Sequence, residues 1–573
     1  MKASNGWSIL VFLSAAICAE AQTARYIIHF TDKHGGSYSL SRPGEFLSEK
    51  CIERRVKQGL GFDSTDLPVI SAYTDSLLLL PGVSLLNKSR WMNQVLIRCS
   101  DSSSLQKIRS FSFVAGADSV APQRYTQLGR VQTNSFTETI YSPTRGVATN
   151  STQRNLVYAQ AVVDYYNYGN TYAQIHIHNG EYLHNNGYHG EGMTIAILDA
   201  GFFGYLTNPA FDSLRSQNGV LGTFDFVNVK NSVNEEDPHG GYCLSALAAN
   251  EQGTVVGSAP KASFWLFKTE DVNSETLTEE QNWVAAAEFA DSAGADMIST
   301  SLGYINFDLA ADNHSYTDRN GHTALITKAA NLAVAKGMIV TASAGNNGTY
   351  ADENRFISCP ADGDSVLAVG AVDINGNIAS FSSWGPNSSG QVKPDVVSVG
   401  LATVLAAPDG SAVSGNGTSY ANPNLAGLVA CLWQAFPAAS NHDIMEAVKK
   451  SSSIYSGPDV RLGYGIPDFE KAFSMLQGIQ NAFNTLSGEH WISAYPVPYK
   501  NNFSVILKAP HSGRAILQLI NTTGSIVEEK TFSVSAGQFI QAQFSVASLL
   551  ASGVYFIRFA DGQQTKTIRV IRL

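Results

Sequence analysis

Residues 421–436 are apolar on nearly every face of a 3.6-residue repeat, which predicts a helix buried inside a core rather than one lying on a surface. Directly ahead stands Ser414-Gly-Asn-Gly-Thr-Ser419, a glycine-rich turn that delivers one serine to the first position of that helix. Pro423 is expected in the first helical turn, where a missing N–H breaks no bond. Short apolar runs recur upstream at 193–198, 264–267, 297–300, 338–342 and 366–369, each of a length that suits a strand covered on both faces. Helical segments alternate with them at 174–184, 239–250, 279–293 and 322–336. Such alternation predicts an α/β fold, a doubly wound parallel sheet with helices on both faces.

Two other textures flank this block. A strand pattern from Tyr26, a charged helical stretch at 46–58, a second strand at 90–99, a short helix at 103–110 and a third strand at 113–115 predict a small α+β module. Its Ser/Thr/Gln-rich tail, 123–154, has few apolar anchors and reads as an exposed linker. Ser440-Asn-His-Asp443 carries a helix-start signature, and 467–476 closes the middle block with one more helix. Beyond it, alternating strands at 503–507, 515–520 and 554–559, parted by glycine-containing turns, predict a small all-β sandwich. The boundaries that follow are 1–21 for a leader, 22–150 for the first module and its linker, 151–478 for the α/β domain, and 479–573 for a linker and the sandwich.

A chain of 573 residues is too long for one core, in keeping with this division. Its net charge of -10 and pI near 5.7 lack the basic footprint that nucleic acid requires. Lys2, the apolar run 9–17 and Ala19-Glu20-Ala21 have the form of a secretory signal cut before Gln22. That run is too short to span a bilayer, and no later segment is long and apolar enough, so the expectation is an exported protein that does not cross a membrane. Six cysteines at irregular spacings form neither a disulfide framework nor a metal site. His176, His178, His184 and His189 invite a metal reading, but no carboxylate or thiolate spacing completes it, and Asn179, Asn185 and Asn186 suggest a solvated helix end. Asp362-Gly-Asp364 reads as a turn ahead of a strand rather than a calcium loop.

Four polar residues stand at element ends. Asp199 closes the first apolar run, His239 follows Asp237-Pro238 at a helix start, Asn346 lies in Ala344-Gly-Asn-Asn-Gly348 just after a strand, and Ser419 opens the buried helix. The carboxyl edge of an open α/β sheet is where sites are built. A serine hydroxyl is a weak nucleophile that needs an imidazole base, and the imidazole needs a carboxylate to hold its tautomer and charge. A tetrahedral oxyanion needs donors, here the Asn346 amide and the Ser419 N–H at a positive helix end. Each residue alone is explicable as a cap, a turn or a surface group. Their order in these contexts is not.

The segments Ile195-Ala-Ile-Leu-Asp199-Ala-Gly201, His239-Gly240, Ser299-Thr-Ser-Leu-Gly303, Ala344-Gly-Asn346-Asn-Gly348, Phe381-Ser-Ser-Trp-Gly-Pro386, Lys393-Pro-Asp395 and Gly417-Thr-Ser419-Tyr-Ala-Asn-Pro423 resemble the subtilisin-like serine peptidases over about 168–476. The resemblance implies a secreted serine endopeptidase with Asp199, His239 and Ser419 as its triad and Asn346 as oxyanion donor. It also implies that Ser301, Leu302 and Gly303 pair with a peptide substrate, that Ala344 and Gly345 wall the primary specificity pocket, and that Ser358, ahead of Cys359-Pro360-Ala361, forms its base. Many relatives carry glycine at that base. With no carboxylate to receive a buried cation, a medium apolar side chain such as Leu, Met or Ala is expected there in preference to Arg or Lys. The sequence departs from the family at Gly241, where Thr is usual, and at Tyr420, where Met is usual; Cys243 falls one helical turn after His239, as in the proteinase K branch.

Residues 26–120 resemble the inhibitory propeptide of this family. Tyr495-Pro-Val-Pro498 through Gly553-Val-Tyr555 to Lys566-Thr-Ile-Arg-Val-Ile-Arg572 resembles the C-terminal sorting domain of the Bacteroidetes type IX route, which implies passage through the periplasm and outer membrane to the cell surface or medium. The implied partners are polypeptide substrates, the chain's own propeptide and the secretion machinery. No cofactor is required; calcium, which family members often bind, has no position marked in the sequence. The alternatives are a non-catalytic surface protein on the same scaffold, which the intact Asp, His and Ser disfavour, and an esterase or peptide ligase using the same serine.

Overall fold

The computed structural model describes residues 24–120, 139–141 and 164–573, apart from 236, 485, 487–489, 496, 501, 535, 538 and 546–549. Its centre is a parallel sheet of seven strands in the order Val396–Val399, Leu367–Val372, Ile339–Ser343, Met297–Thr300, Thr194–Asp199, Ser263–Lys268 and Val220–Asp225. Alternate residues of each strand feed two separate cores, which is why the runs read as continuously apolar. Ile195, Ile197, Phe264, Leu266, Met297, Ile339 and Leu367 pack on one face with the helices His239–Ala248 and Thr418–Ala435. Ala196, Leu198, Phe267, Ile298, Val340 and Ala368 pack on the other with Leu277–Ala293 and Leu325–Ala335. The edge strand Val220–Asp225 is mostly half-buried and has no such run, so periodicity missed it. Strand order reverses about Thr194–Asp199, whose neighbours are Met297–Thr300 and Ser263–Lys268, and the crevice of a doubly wound sheet opens at the carboxyl ends there.

Two local expectations are corrected. The segment 174–184 is two short helices, Tyr172–His176 and Glu181–Asn185, separated near Asn179, whose φ is 50°. Nor is this a solvated helix end, because His178, His184 and His189 are buried. The His178 ring nitrogens meet the Pro467 carbonyl at 3.0 Å and Ser398 Oγ at 2.9 Å; those of His184 meet the Tyr168 hydroxyl at 2.6 Å and the Ser258 carbonyl at 3.0 Å. The histidines therefore join the amino-terminal helices to the main core.

The amino-terminal module is an antiparallel sheet in the order Val83–Ser89, Gln94–Cys99, Ala24–Phe30 and Val114–Val120, carrying the helices Glu49–Lys57, Ser71–Leu78 and Ser102–Arg109. It lies against the helix Leu277–Ala293. Buried Asp291 binds Arg54, Arg55 at 2.7 Å and Arg90 at 3.1 Å, while Glu288 accepts from Ser89 Oγ at 2.5 Å and from the N–H groups of Arg90 at 2.7 Å and Trp91 at 3.0 Å. At the other end, the helix Phe469–Asn484 runs past residue 478, so the boundary set there falls inside a helix. Two antiparallel sheets follow, of three strands (Ile492–Tyr495, Asn502–Lys508, Phe539–Ser545) and four (Ile526–Val534, Gly513–Ile520, Gly553–Ala560, Thr565–Arg572), around one core that includes Phe503, Leu517, Phe544 and Phe559.

Burial pushes His178 and His184 down to about 4 from the usual 6.5. A folded value below the unfolded one means that unfolding takes up protons as the pH falls. Each histidine thus contributes stability that is whole above pH 6.5 and is lost as the pH falls toward 4, by roughly 3 kcal/mol per group. Urea unfolding of Ser419→Ala protein, with and without His178→Gln, should show the difference between the two shrinking from pH 7.5 to pH 4.5. A constant difference would refute this account.

Candidate active site

Asp199 is the last residue of its strand and is buried; its Oδ1 accepts the Ala200 N–H at 2.7 Å and meets His239 Nδ1 at 2.6 Å. His239 opens the helix His239–Ala248, and its backbone N–H is held by Asp237 Oδ1 at 2.8 Å, which fixes where the helix begins. A carboxylate only accepts, so Nδ1 carries the proton and Nε2 is the ring's basic nitrogen. Cys243 follows one turn later, and its Sγ donates to the Ser419 carbonyl at 3.4 Å.

The helix Thr418–Ala435 begins one residue before Ser419, which places Pro423 sixth rather than in the first turn. The proline therefore deprives the Ser419 carbonyl of its helical N–H partner. Ser301 replaces it: its hydroxyl donates to that carbonyl at 2.8 Å, and its own carbonyl accepts from the Ser419 hydroxyl at 3.2 Å. The Ser419 N–H lies in the first turn, where no carbonyl of the helix can reach it.

Asn346 is oriented by its neighbour across the turn. The backbone N–H and the hydroxyl of Thr418 both donate to Asn346 Oδ1, at 2.9 and 2.8 Å. Because an N–H can only donate, the amide cannot be flipped, and Nδ2 is turned away from Thr418, buried and without a partner. A buried unmet donor costs about 1–3 kcal/mol.

The residues expected to line the cleft lie on adjoining segments. Ser301, Leu302 and Gly303 continue the strand Met297–Thr300, and Tyr304 pairs with Cys359 through N–H···O bonds of 2.9 and 3.2 Å. The neighbouring Ser358 donates its N–H to the Ala344 carbonyl at 3.2 Å. Gly345, at φ 108°, lies between serines: a Cβ there would stand 2.7 Å from Ser383 Oγ and 3.4 Å from Ser358 Oγ. Among the described residues, Asp199, His239 and Cys243 each bring a metal-ligating atom within 4.8 Å of the others, but Asp199 and His239 are already bonded to each other.

Sequence reasoning missed Thr418 and Glu270. Glu270 follows the strand Ser263–Lys268, whose Lys268 stands opposite Asp199 in the sheet. It accepts from the Tyr304 hydroxyl at 2.5 Å and from Thr269 Oγ1 at 2.9 Å, and burial, with the charge of Asp199 adding to it, pushes its carboxyl up to about 7. An acidic residue just past a strand end on the carboxyl edge was the signal available for it.

Residues 190–465 match the Subtilase family model. Subtilisin DY of Bacillus licheniformis is 31% identical over 287 residues, covering 50% of this chain and 92% of the relative. The chain belongs to the subtilase family. Subtilisin E of Bacillus subtilis is 30% identical over 293 residues, covering 51% of this chain and 68% of that protein. Among solved structures, MycP1 from Mycobacterium smegmatis overlays with a TM-score of 0.43 and 20% identity over 55% of this chain and 86% of its own. The flanks of the subtilase match as well: residues 25–137 the S8 propeptide domain of Bacteroidota, and 493–572 the secretion-system C-terminal sorting domain of the type IX route. The protein is a subtilisin-like serine endopeptidase with its own propeptide and sorting domain. No helix among its described residues is long and apolar enough to cross a membrane.

Replacing Ser301 by Ala leaves the buried Ser419 carbonyl with only the weak thiol donor, at a cost of about 1–3 kcal/mol. Urea unfolding of Ser301→Ala against Ser301→Thr, which keeps a hydroxyl, should show that loss for alanine and a smaller one for threonine. Equal stabilities would mean that the serine bond does not support the helix start.

Proposed function

We propose that Ser419 is the nucleophile of this subtilase, with His239 as general base, Asp199 as the group that orients the imidazole and stabilises its protonated form, and Asn346 with the Ser419 N–H as the oxyanion donors. The observation that carries the proposal is the Asn346 Nδ2 donor, held buried and unpartnered beside the Ser419 turn. In this scheme a peptide strand lies along Ser301–Gly303. His239 Nε2 takes the Ser419 hydroxyl proton as Oγ attacks the carbonyl, and Asn346 and the Ser419 N–H receive the negative oxygen. The protonated imidazole then donates to the departing amine, and water, deprotonated by the same nitrogen, releases the acyl half. No cofactor takes part. The sorting domain directs the enzyme across the outer membrane to the surface or medium, where polypeptides are its substrates.

Ser419→Ala should lower turnover by about 10⁶, the size established for the nucleophile of subtilisin. Asn346→Ala should lower it by roughly 10²–10³, as for the subtilisin oxyanion asparagine. Fluorophosphonate labelling with intact mass reads the nucleophile directly, and folded Ser419→Ala protein with normal hydrolysis would falsify the assignment. At the pocket base, Ser358→Gly should shift the preferred side chain from Leu, Met or Ala toward Phe and Tyr, because a small change of pocket depth is worth ~1–3 kcal/mol of selectivity. A peptide-library profile led by Arg or Lys, or one unmoved by Ser358→Gly, would reject the pocket and leave the triad intact.

A further inference from the structure

Two arginines stack on one indole beside the turn that carries Asn346. The guanidinium carbon of Arg355 lies 5.3 Å from the ring centre of Trp384, and that of Arg461 lies 4.3 Å from the same ring. All three side chains are half-buried. The backbone builds this arrangement. The Trp384 N–H donates to the Arg355 carbonyl at 2.8 Å and the Gly385 N–H to the Val460 carbonyl at 2.7 Å, so both arginine-bearing segments are tied to the tryptophan's own. The indole Nε1 donates to the Gly348 carbonyl at 2.8 Å and thereby joins the ring to the Asn346 turn.

A cation over an aromatic face is stabilised by the ring quadrupole, but two like charges held on one ring repel each other. Among the described residues, neither arginine forms an ion pair, and the Nε of each is buried without a partner. Arg461 Nη2 donates only to the carbonyls of Ala379, Ser380 and Ser382, at 3.1, 3.5 and 3.4 Å. The acids close by in sequence are engaged elsewhere or exposed. Asp459 Oδ1 accepts the N–H groups of Arg461 and Leu462, both at 2.7 Å, Asp352 Oδ1 accepts the Asn354 N–H at 3.0 Å, and Glu353 is exposed. A third guanidinium adds to the positive field: buried Arg319 donates to the carbonyls of Ser315, Glu353, Phe356 and Ile357, again with no carboxylate. Burial holds the guanidinia of Arg319 and Arg461 below their ordinary range. In a chain of net charge -10, this is a local reversal of sign.

We infer that Arg355 and Arg461, held on Trp384, form a binding site for an oxyanion, either a carboxylate or a sulfate-like group. The Nη groups of Arg355 and Nη1 of Arg461 meet no acceptor among the described residues and open to solvent. A guanidinium offers paired donors in one plane, which matches the two oxygens of such a group. The ring and the carbonyls already restrict the side chains, so little rotamer freedom is lost on binding. Two sources supply this chemistry: a free inorganic anion, or an acidic side chain of a polypeptide.

The test is calorimetric titration of full-length Ser419→Ala protein with sodium sulfate and, separately, with the N-acetylated dipeptide amide of two glutamates. Ionic strength is held constant with sodium chloride, so that screening is the same throughout. The expected result is saturable binding of one or both probes, one per chain, weakened about tenfold or more by Arg355→Gln and by Arg461→Gln. Arg461→Gln also removes the bonds to three carbonyls, so its urea midpoint is measured alongside. Arg355→Gln removes no hydrogen bond made by its side chain within the described residues and decides the matter where the other variant is unstable. Arg514→Gln, which changes an exposed arginine of the sorting domain, should leave binding unchanged. Binding of sulfate alone assigns the site to free anions, and binding of the peptide assigns it to acidic polypeptides. No saturable binding of either probe, an affinity unmoved by Arg355→Gln, or an equal loss in Arg514→Gln overturns the inference.

Discussion

The site depends on one constraint: a helix buried along most of its length begins at Thr418, just ahead of Ser419, so the polar groups of its first turn have to be answered by neighbouring segments. The Thr418 N–H and hydroxyl go to Asn346, and the Ser419 carbonyl, released by Pro423, goes to Ser301 and Cys243. Buried polar groups are costly unless bonded, so these bonds fix three separate segments relative to one another. The segment after Met297–Thr300, the turn after Ile339–Ser343 and the His239 helix are all drawn to one helix start. The Asn346 amide donor, like Asn422 Oδ1 further along the helix, is left without a partner.

The sheet makes this possible because its two faces are packed independently. Alternate residues of a single run, such as Ile195 and Ile197 against Ala196 and Leu198, serve different cores. A strand clamped in this way cannot slip by one residue without exchanging its faces, so Asp199 is held at the end of its strand beside His239. The face toward Leu277–Ala293, where alanines of the helices meet Leu198, Phe267, Ile298 and Val340 of the strands, also takes in Trp91 of the amino-terminal module.

That module is joined to the enzyme by charge as well as by apolar contact. Asp291 is fully buried among Arg54, Arg55 and Arg90, and Glu288 is capped by backbone donors of the module's hairpin. A buried carboxylate stripped of such partners is strongly unfavourable unless water replaces them, so the complex holds its geometry closely while attached. Departure of the module exposes the whole group at once. The arrangement suits a propeptide that is to be bound firmly and then removed entirely.

The sequence by itself determined the strand and helix alternation, the three-part organisation, and the positions of Asp199, His239, Asn346 and Ser419 at element ends, because continuous apolar runs, glycine-rich turns and caps are local signals. It also marked Ser440 as a helix start, where the structure shows a reciprocal cap with Asp443. Val220–Asp225 escaped because an edge strand need not be apolar, and Pro423 was misplaced because the position of a helix start is decided by its caps and not by its periodicity. Buried His178 and His184 looked solvated because their neighbours in sequence are polar, whereas their neighbours in space are carbonyls and hydroxyls from up to 289 residues away. Only the tertiary structure could decide that Asn346 points its donor away from Thr418, that Ser301 holds Ser419 from both sides, that Glu270 comes near Asp199, and that Thr139–Tyr141 pairs with Ala412–Asn416. Each is a relation between segments distant in the chain, and such relations are settled by which polar groups can be satisfied once the cores are packed.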